Sequence, residues 1–226
     1  MIDLHSHILH NLDDGSKSLD ESLKLCKEAV LLGYRYICCT SHYIKGKYEN
    51  ENYENRFQEL KEAIRKEKLP LDIYMGNEIN LDIDTFILLS KNKFNTLGYS
   101  KYLLVEFPKG ILLDVKINLL KMLKTKEYKI ILAHVERYPE LSLDDIRKLK
   151  QYAMIQCNIN AINFISNRFE VLLLDGTIDL VASDAHNLEH RNYNLKKQLE
   201  KLKELVGERI FERLTYSNAI EILMDE

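Results

Sequence analysis

The sequence has no tryptophan, and only 3 Pro and 8 Gly among its 226 residues. So little proline and glycine excludes collagen-like and low-complexity chains, and no linker-like stretch offers a place to divide residues 1–226 into domains. Cysteine is sparse as well. Cys26, Cys38, Cys39 and Cys157 show no CxxC spacing, which excludes a cysteine-ligated zinc site and a disulfide framework. They also exclude a thiolate phosphate loop, which needs an arginine six places after its cysteine. Those places hold Leu32, Ile44, Lys45 and Asn163. No apolar run approaches the roughly 18 residues of a membrane span. Met1–His7 lacks the basic-then-apolar pattern of a secretion signal. The expectation is a cytoplasmic protein with reduced thiols and no membrane insertion. An excess of positive charge is missing too. Lys and Arg total 32 against 35 Asp and Glu, for a net charge of −3. With pI ≈ 6.2 there is no basic footprint for nucleic acid. Neither GxxxxGK[ST] nor GxGxxG occurs.

What is present is a globular pattern, with 46% hydrophobic and 30% charged residues. Apolar, β-rich runs recur at Ile2–Leu4, Tyr34–Thr40, Leu71–Gly76, Tyr102–Phe107, Lys129–Ala133, Met154–Ile159 and Ile178–Ala182. Helical periods lie between them. Leu19, Leu23, Cys26, Ala29 and Val30 follow a Ser18 N-cap. Ser142-Leu143-Asp144-Asp145 starts another helix in the manner of a capping box. Asp82-Ile83-Asp84-Thr85 reads as a helix start rather than an aspartyl-phosphate motif, since carboxylates are favoured in a first turn. The tail from Leu195 to Met224 reads as two helices broken near Gly207. Seven strands alternating with helices predict a parallel α/β sheet, either closed into a barrel or open and doubly wound.

Polar residues gather at the strand ends. The first run ends in His5-x-His7, the second in Thr40-Ser41-His42, and the third in Gly76-Asn77-Glu78. The fourth ends in Glu106, the fifth in His134-Val135-Glu136-Arg137, and the seventh in Ser183-Asp184-Ala185-His186. Sites of parallel α/β folds form at the carboxyl ends of the strands. Residues i and i+2 share a face, so His5 with His7, and Asp184 with His186, can share one ion. With Asp14, these make nine candidate ligands: His5, His7, Asp14, His42, Glu78, Glu106, His134, Asp184 and His186. Imidazole and carboxylate suit zinc, manganese and iron, and nine donors exceed the needs of a single ion. Two or three ions are expected. Arg137 and Arg191 lie beside this rim, and their planar forks suit a phosphate oxygen. A salt bridge to Glu136 or Glu189 is the plainer alternative. His10 and His190 fall outside the pattern and are read as surface or supporting residues.

In order along the chain, Asp3-Leu4-His5-Ser6-His7, Asp13-Asp14-Gly15, Thr40-Ser41-His42, Gly76-Asn77-Glu78-Ile79, Glu106-Phe107, His134-Val135-Glu136-Arg137-Tyr138 and Ser183-Asp184-Ala185-His186-Asn187 resemble the motifs of the polymerase-and-histidinol-phosphatase (PHP) superfamily. Within it the chain is most similar to the bacterial manganese-dependent tyrosine-protein phosphatases of capsule and exopolysaccharide operons. The resemblance implies a distorted (β/α)7 barrel with three Mn²⁺ ions, iron or zinc being the other candidates. It places His5, His7, Glu78 and Asp184 on the first ion. Glu78, Glu106 and His134 fall on the second, with Glu78 as the bridge, and Asp14, His42 and His186 on the third. Arg137 and Arg191 match the phosphate-binding arginines. The implied reaction is hydrolysis of phosphotyrosine on a protein, such as a bacterial tyrosine autokinase, by metal-activated hydroxide attack. His42 or His186 could assist the leaving group. A histidinol-phosphate type of small-molecule phosphatase and a non-catalytic metal-binding scaffold are the alternatives. A nuclease is disfavoured by the acidic pI.

Overall fold

The computed structural model describes residues 1–88, 94–164 and 167–225. In chain order its strands are β1 (Ile2–Ser6), β2 (Tyr36–Cys39), β3 (His42–Tyr43), β4 (Asp72–Met75), β5 (Glu78–Asn80), β6 (Tyr102–Glu106), β7 (Lys129–Leu132), β8 (Met154–Asn158) and β9 (Leu180–Ala182). They pair in parallel as β1-β2-β4 and β3-β5-β6-β7-β8-β9. β2 and β3 occupy one strand position interrupted at Thr40 and Ser41. β4 and β5 occupy another, interrupted at Gly76 and Asn77. The seven expected strands thus form seven positions, with two of them broken.

The ring closes between its first and last members. Ser6 bridges Ala185 in parallel. His7 N–H donates to the Ala185 carbonyl at 2.7 Å and Asp184 N–H to that of His5 at 2.9 Å. The architecture is therefore a distorted (β/α)7 barrel, and the open doubly wound alternative is excluded.

Alternation along the strands divides the apolar residues into two layers. Ile2, Leu4, Cys38, Leu104, Ile131, Ala133 and Leu180 form one cluster with Ala219, Ile222 and Leu223 of the last helix, α8 (Asn218–Leu223). That helix also brings Asp225 to Lys129, the first residue of β7, so it plugs the amino end of the barrel. The opposite strand faces, with Ile37, Ile73, Leu103, Val105, Ile130 and Leu132, pack against the outer helices. These include α1 (Leu19–Leu31), α2 (Tyr53–Lys66) and α4 (Leu113–Thr125), whose buried stripes are Leu25/Cys26/Ala29, Phe57/Leu60/Ile64 and Leu119/Leu120/Leu123.

The expected caps are present. Ser18 Oγ accepts from Glu21 N–H at 3.2 Å. Ser142 and Asp145 form a reciprocal capping box before α5 (Leu143–Leu149). Asp82 Oδ1 accepts from Thr85 N–H at 2.6 Å at the start of α3 (Ile83–Leu88). In α7 (Lys196–Glu212) Gly207 takes φ 76° and ψ 164°, so the expected break is a kink between two helical stretches. Among the described residues no helix is long and apolar enough to cross a membrane.

Candidate metal centre

The centre is assembled at the carboxyl end of the barrel, and local departures from regular strand aim its side chains. In β1 the register against β2 shifts between Asp3 and Ser6. Three steps along β1, from Asp3 to Ser6, match two along β2, from Ile37 to Cys39. Such a bulge re-aims the residues beyond it, so His5 faces the same space as the inward Leu4, and His7 continues the period. His134 (φ 34°) and Asp184 (φ 54°) take left-handed backbone just past β7 and β9. That conformation costs about 1–3 kcal/mol for residues other than glycine and is concentrated at functional sites. Gly15 approaches the back of His7 so closely that a Cβ would lie 2.2 Å from the His7 carbonyl oxygen. Only glycine fits there.

All nine candidate ligands meet in one cluster. Four overlapping groups place their donor atoms within 4.8 Å of one another: His7/Asp14/His42/His186, His5/His7/Asp184, His5/Glu78/His134 and His42/Glu78/Glu106. Glu78 is central. Its Oε2 lies 3.2 Å from His5 Nε2, 3.1 Å from His7 Nε2 and 3.1 Å from His42 Nδ1. Its Oε1 is 2.6 Å from His134 Nε2. Asp14 Oδ1 stands 3.4 Å from His42 Nε2 and 3.6 Å from His186 Nε2. Glu106 Oε2 is 3.6 Å from His134 Nε2. Donors bound to one ion at about 2.0–2.2 Å stand roughly 2.8–3.6 Å apart, the spacing of all these pairs except His134 and Glu78, which stand at direct hydrogen-bond distance.

Hydrogen bonds from outside the cluster fix the imidazole tautomers. Gln156 Oε1 accepts from His134 N–H at 2.7 Å, so it is an acceptor for His5 Nδ1 at 3.2 Å. The Asp13 carboxylate accepts from His7 Nδ1 at 2.7 Å. With both Nδ1 atoms donating, His5 Nε2 and His7 Nε2 face each other at 3.2 Å. At that distance, ringed by carboxylates, the pair is held by a proton on one nitrogen or by a metal ion between them. Burial opposes charge on His5, but Glu78 and Asp184 outweigh it and raise the group to about 9. A metal ion at this place substitutes for that proton. His186 Nδ1 donates to the Asp184 carbonyl at 3.0 Å, and its buried Nε2 makes no hydrogen bond. Burial, reinforced by His7, pushes His186 down to about 4, so Nε2 carries a lone pair. Burial also opposes charge on Glu78, but His5, His134 and His42 hold its carboxyl well below the ordinary range. The donor set therefore fits divalent cations.

The arginines take a partner that the sequence did not suggest. Arg137 Nη2 donates to Asp184 Oδ2, and Arg191 Nη2 to Asp184 Oδ1 at 2.6 Å. Glu136 turns instead to Asn158 N–H, at 3.3 Å. His190 is exposed, whereas His10 is buried and paired with Glu59 at 3.2 Å, so it is not a surface residue. Asp13 and Gln156 are the functional residues that the candidate ligand set lacked. Asp13 is signalled by its place in Asp13-Asp14-Gly15, Gln156 by nothing in the sequence. All four cysteines are buried, and burial pushes Cys26 up to about 12 and Cys38 higher still, which removes any thiolate nucleophile.

Comparison with known proteins agrees with this geometry. Residues 1–224 match the family described as capsular polysaccharide synthesis, CpsB/CapC. Tyrosine-protein phosphatase YwqE of Bacillus subtilis (strain 168) is 31% identical over 225 residues, covering 95% of this chain and 89% of that protein. Tyrosine-protein phosphatase CpsB of Streptococcus pneumoniae is 29% identical over 242 residues, with 100% and 99% covered. A chain from the crystal structures of YwqE and CpsB, unique metal-dependent tyrosine phosphatases, superposes with a TM-score of 0.87 at 29% identity, covering 100% of this chain and 95% of that one. A histidinol phosphate phosphatase from Lactococcus lactis, complexed with zinc, L-histidinol and phosphate, shares the fold at a TM-score of 0.59 and 15% identity, with 91% and 93% covered. This chain belongs to the CpsB/CapC family of capsular polysaccharide synthesis proteins.

Proposed function

We propose that this protein is a cytoplasmic, metal-dependent phosphomonoester hydrolase that dephosphorylates phosphotyrosine on proteins. The observation that carries the reading is the meeting of nine imidazole and carboxylate donors with two arginines at one end of the barrel. His5, His7, Glu78 and Asp184 would hold one ion, Glu78, Glu106 and His134 a second, and Asp14, His42 and His186 a third. Glu78 has imidazole nitrogens facing both of its oxygens, so it would serve the first two ions as their bridge. Manganese suits this oxygen-and-imidazole set, and iron or zinc could occupy it. Bound ions supply Lewis acidity toward the phosphoryl oxygens and an activated water at neutral pH.

The protein's own groups do the rest. Arg137 and Arg191 present guanidinium forks at the rim and can bind phosphoryl oxygens whose charge grows in the transition state. Their side chains are 43% and 30% exposed, so an incoming ester can reach them. His186 keeps its proton on Nδ1 against the Asp184 carbonyl, so its Nε2 would ligate and His42 is the better placed of the two to assist the leaving group. His42 has carboxylates facing both nitrogens, so one can ligate while the other holds a proton for the departing oxygen. Tyrosinate leaves with a reference pKa of about 10, which lightens that task. The protein partner this reading implies is a bacterial tyrosine autokinase of the capsule system.

Phosphate release from a phosphotyrosine peptide, a phosphoserine peptide and histidinol phosphate, each with and without Mn²⁺, tests the reading. Mn²⁺-dependent release that favours the phosphotyrosine peptide is expected. Faster turnover of histidinol phosphate would transfer the assignment to small-molecule esters, and no release from any substrate would leave a metal-binding scaffold.

A further inference from the structure

The segment after β3 stands beside the centre but contributes neither ligand nor arginine. Ile44 and Tyr48 exchange backbone hydrogen bonds at 2.9 Å in both directions, around a turn in which Gly46 takes φ 75°. The segment is pinned to the centre by Asn50 and Asn77, whose side-chain amides exchange hydrogen bonds at 2.8 and 2.9 Å. Asn77 immediately precedes Glu78. The Tyr48 ring lies nearly parallel to that of His42, at 12° with centroids 6.1 Å apart. Between this hairpin and the Asn11–Leu12 turn is a cleft of about 370 Å³. Ligand sites generally run from roughly 300 to 1,000 Å³. Of the residues lining it, His42 alone belongs to the donor cluster, so the cleft leads out from the centre along His42 and Tyr48.

Building on the phosphatase reading, we propose that Tyr48 is a specificity-determining residue whose ring receives the aryl group of an aryl phosphate ester. An ester whose phosphoryl group sits among the ions and arginines must project its remaining portion outward. On the His42 side this cleft is the space that accepts it. An aryl group there gains an aromatic partner, whereas the short alkyl stem of phosphoserine gains none. Asn11, Asn52 and neighbouring polar side chains line the rest of the cleft, which suits the amides of a peptide main chain. The Lys47 ammonium lies 4.6 Å from the Tyr48 ring centroid. It is a point charge in a cleft that also holds the Glu49 and Glu51 side chains.

The rival role for Tyr48 is to buttress His42, and a ratio separates the two. Manganese-loaded full-length protein is titrated calorimetrically with phenylphosphonate and with methylphosphonate, which cannot be hydrolysed. Wild type is compared with Tyr48→Phe, Tyr48→Leu and Tyr48→Ala. The preference for the phenyl ligand should fall about 2- to 13-fold in the Leu and Ala variants, the scale of one aromatic pair, and persist in Phe. The kcat/KM ratio of phenyl phosphate to methyl phosphate should change in parallel. Tyr48→Leu keeps bulk against His42, so it decides the matter if Tyr48→Ala loses metal. Equal weakening of both ligands, with the ratio unchanged, overturns the proposal. If the wild type binds both phosphonates but hydrolyses neither ester, the phosphatase reading falls while the binding ratio still decides the role of Tyr48.

Discussion

Replacing Asp13 by asparagine keeps the size of the side chain and removes its charge. In the structure Asp13 Oδ2 accepts from His7 Nδ1 at 2.7 Å and from His42 N–H at 2.8 Å, while Oδ1 accepts from Gly15 N–H at 2.8 Å. Asparagine has one oxygen for these three donors. If that oxygen takes the Oδ2 place, the amide NH₂ faces Gly15 N–H, and one hydrogen bond worth about 1 kcal/mol is lost. The other orientation sets the NH₂ against both His7 and His42, which is worse. In either case His7 no longer donates to a carboxylate, and its Nε2 becomes a poorer donor to a metal. Removing an outer hydrogen-bond partner of a ligating histidine typically costs 10–100-fold in metal affinity or activity, or about 1.4–2.8 kcal/mol. Calorimetric Mn²⁺ titration of chelator-stripped Asp13→Asn should therefore show a Kd raised 10–100-fold. Its melting transition should show a loss of stability of about 1 kcal/mol. A Mn²⁺ Kd within twofold of wild type would refute the idea that Asp13 orients His7 for ligation.

Exhaustive chelation should abolish phosphate release and added Mn²⁺ should restore it, while thiol alkylation of the folded protein leaves it nearly unchanged; full activity at zero metal content contradicts the centre. Glu78→Ala should lose more metal by elemental analysis than His186→Ala, because Glu78 faces donors on both oxygens; equal loss of one ion in each removes the bridge. Arg137→Ala should lower kcat/KM on p-nitrophenyl phosphate by about 10²–10³-fold with metal content intact, and Arg137→Lys should recover little because a point charge does not reproduce the fork. Asp184 is buried and keeps Arg191 and Asn158 as partners in this variant, so a thermal melt run beside the kinetics separates lost stability from lost phosphate binding. Gly15→Ala should disturb His7 and lower Mn²⁺ affinity by 10-fold or more on the same scale, since its Cβ overlaps the His7 carbonyl; unchanged affinity would mean that the turn moves freely.

Much of this was legible because it repeats at short range. Each of the seven strand positions shows as a local β-rich run, and at six of them the polar site residue is adjacent in sequence to the run's end. His5 and His7 could be paired from spacing alone because the bulge in β1 lies before His7 and leaves their i, i+2 relation intact. The same bulge was not legible, since it arises from the different step lengths of β1 and β2. The interruptions at Thr40-Ser41 and Gly76-Asn77, which carry His42 and Glu78 into a second sheet segment, were hidden for the same reason. Gln156 lies 151 residues from His5 and 22 from His134, and only barrel closure makes it an acceptor for both. Proximity in sequence offered Glu136 and Glu189 as the alternative partners of the arginines, and the fold supplies Asp184 instead. Arg137 lies one residue from Glu136 but bonds Asp184, 47 residues away, because Glu136 points to the backbone of β8. For His10 the sequence leaves a surface and a supporting role open, and only the packing of α2, which brings Glu59 to it, excludes the first.

The barrel interior holds two unlike layers, and their contrast explains how such a centre is held together. The lower layer is apolar and sealed by α8. Directly above it, Glu78 and Asp184 are nearly inaccessible to solvent. An unpaired carboxylate at such depth costs several kcal/mol, so each must be answered by positive charge or by donors. Glu78 is answered by the imidazoles of His5, His42 and His134. Asp184 is answered by Arg137 and Arg191, and by Asn158 Nδ2 at 2.8 Å. These two solutions differ in kind. Imidazoles can give up a proton and coordinate, so the Glu78 side of the centre is built for exchange between protons and metal ions. Guanidinium stays protonated. A cation that claims the Asp184 oxygens must compete with both forks, and each fork then needs another anion. Two oxygens of a phosphoryl group can accept from the two parallel N–H groups of a guanidinium fork. On the proposed reading Asp184 would therefore connect metal binding to phosphate binding. That connection would distinguish this end of the barrel from a passive store of metal ions.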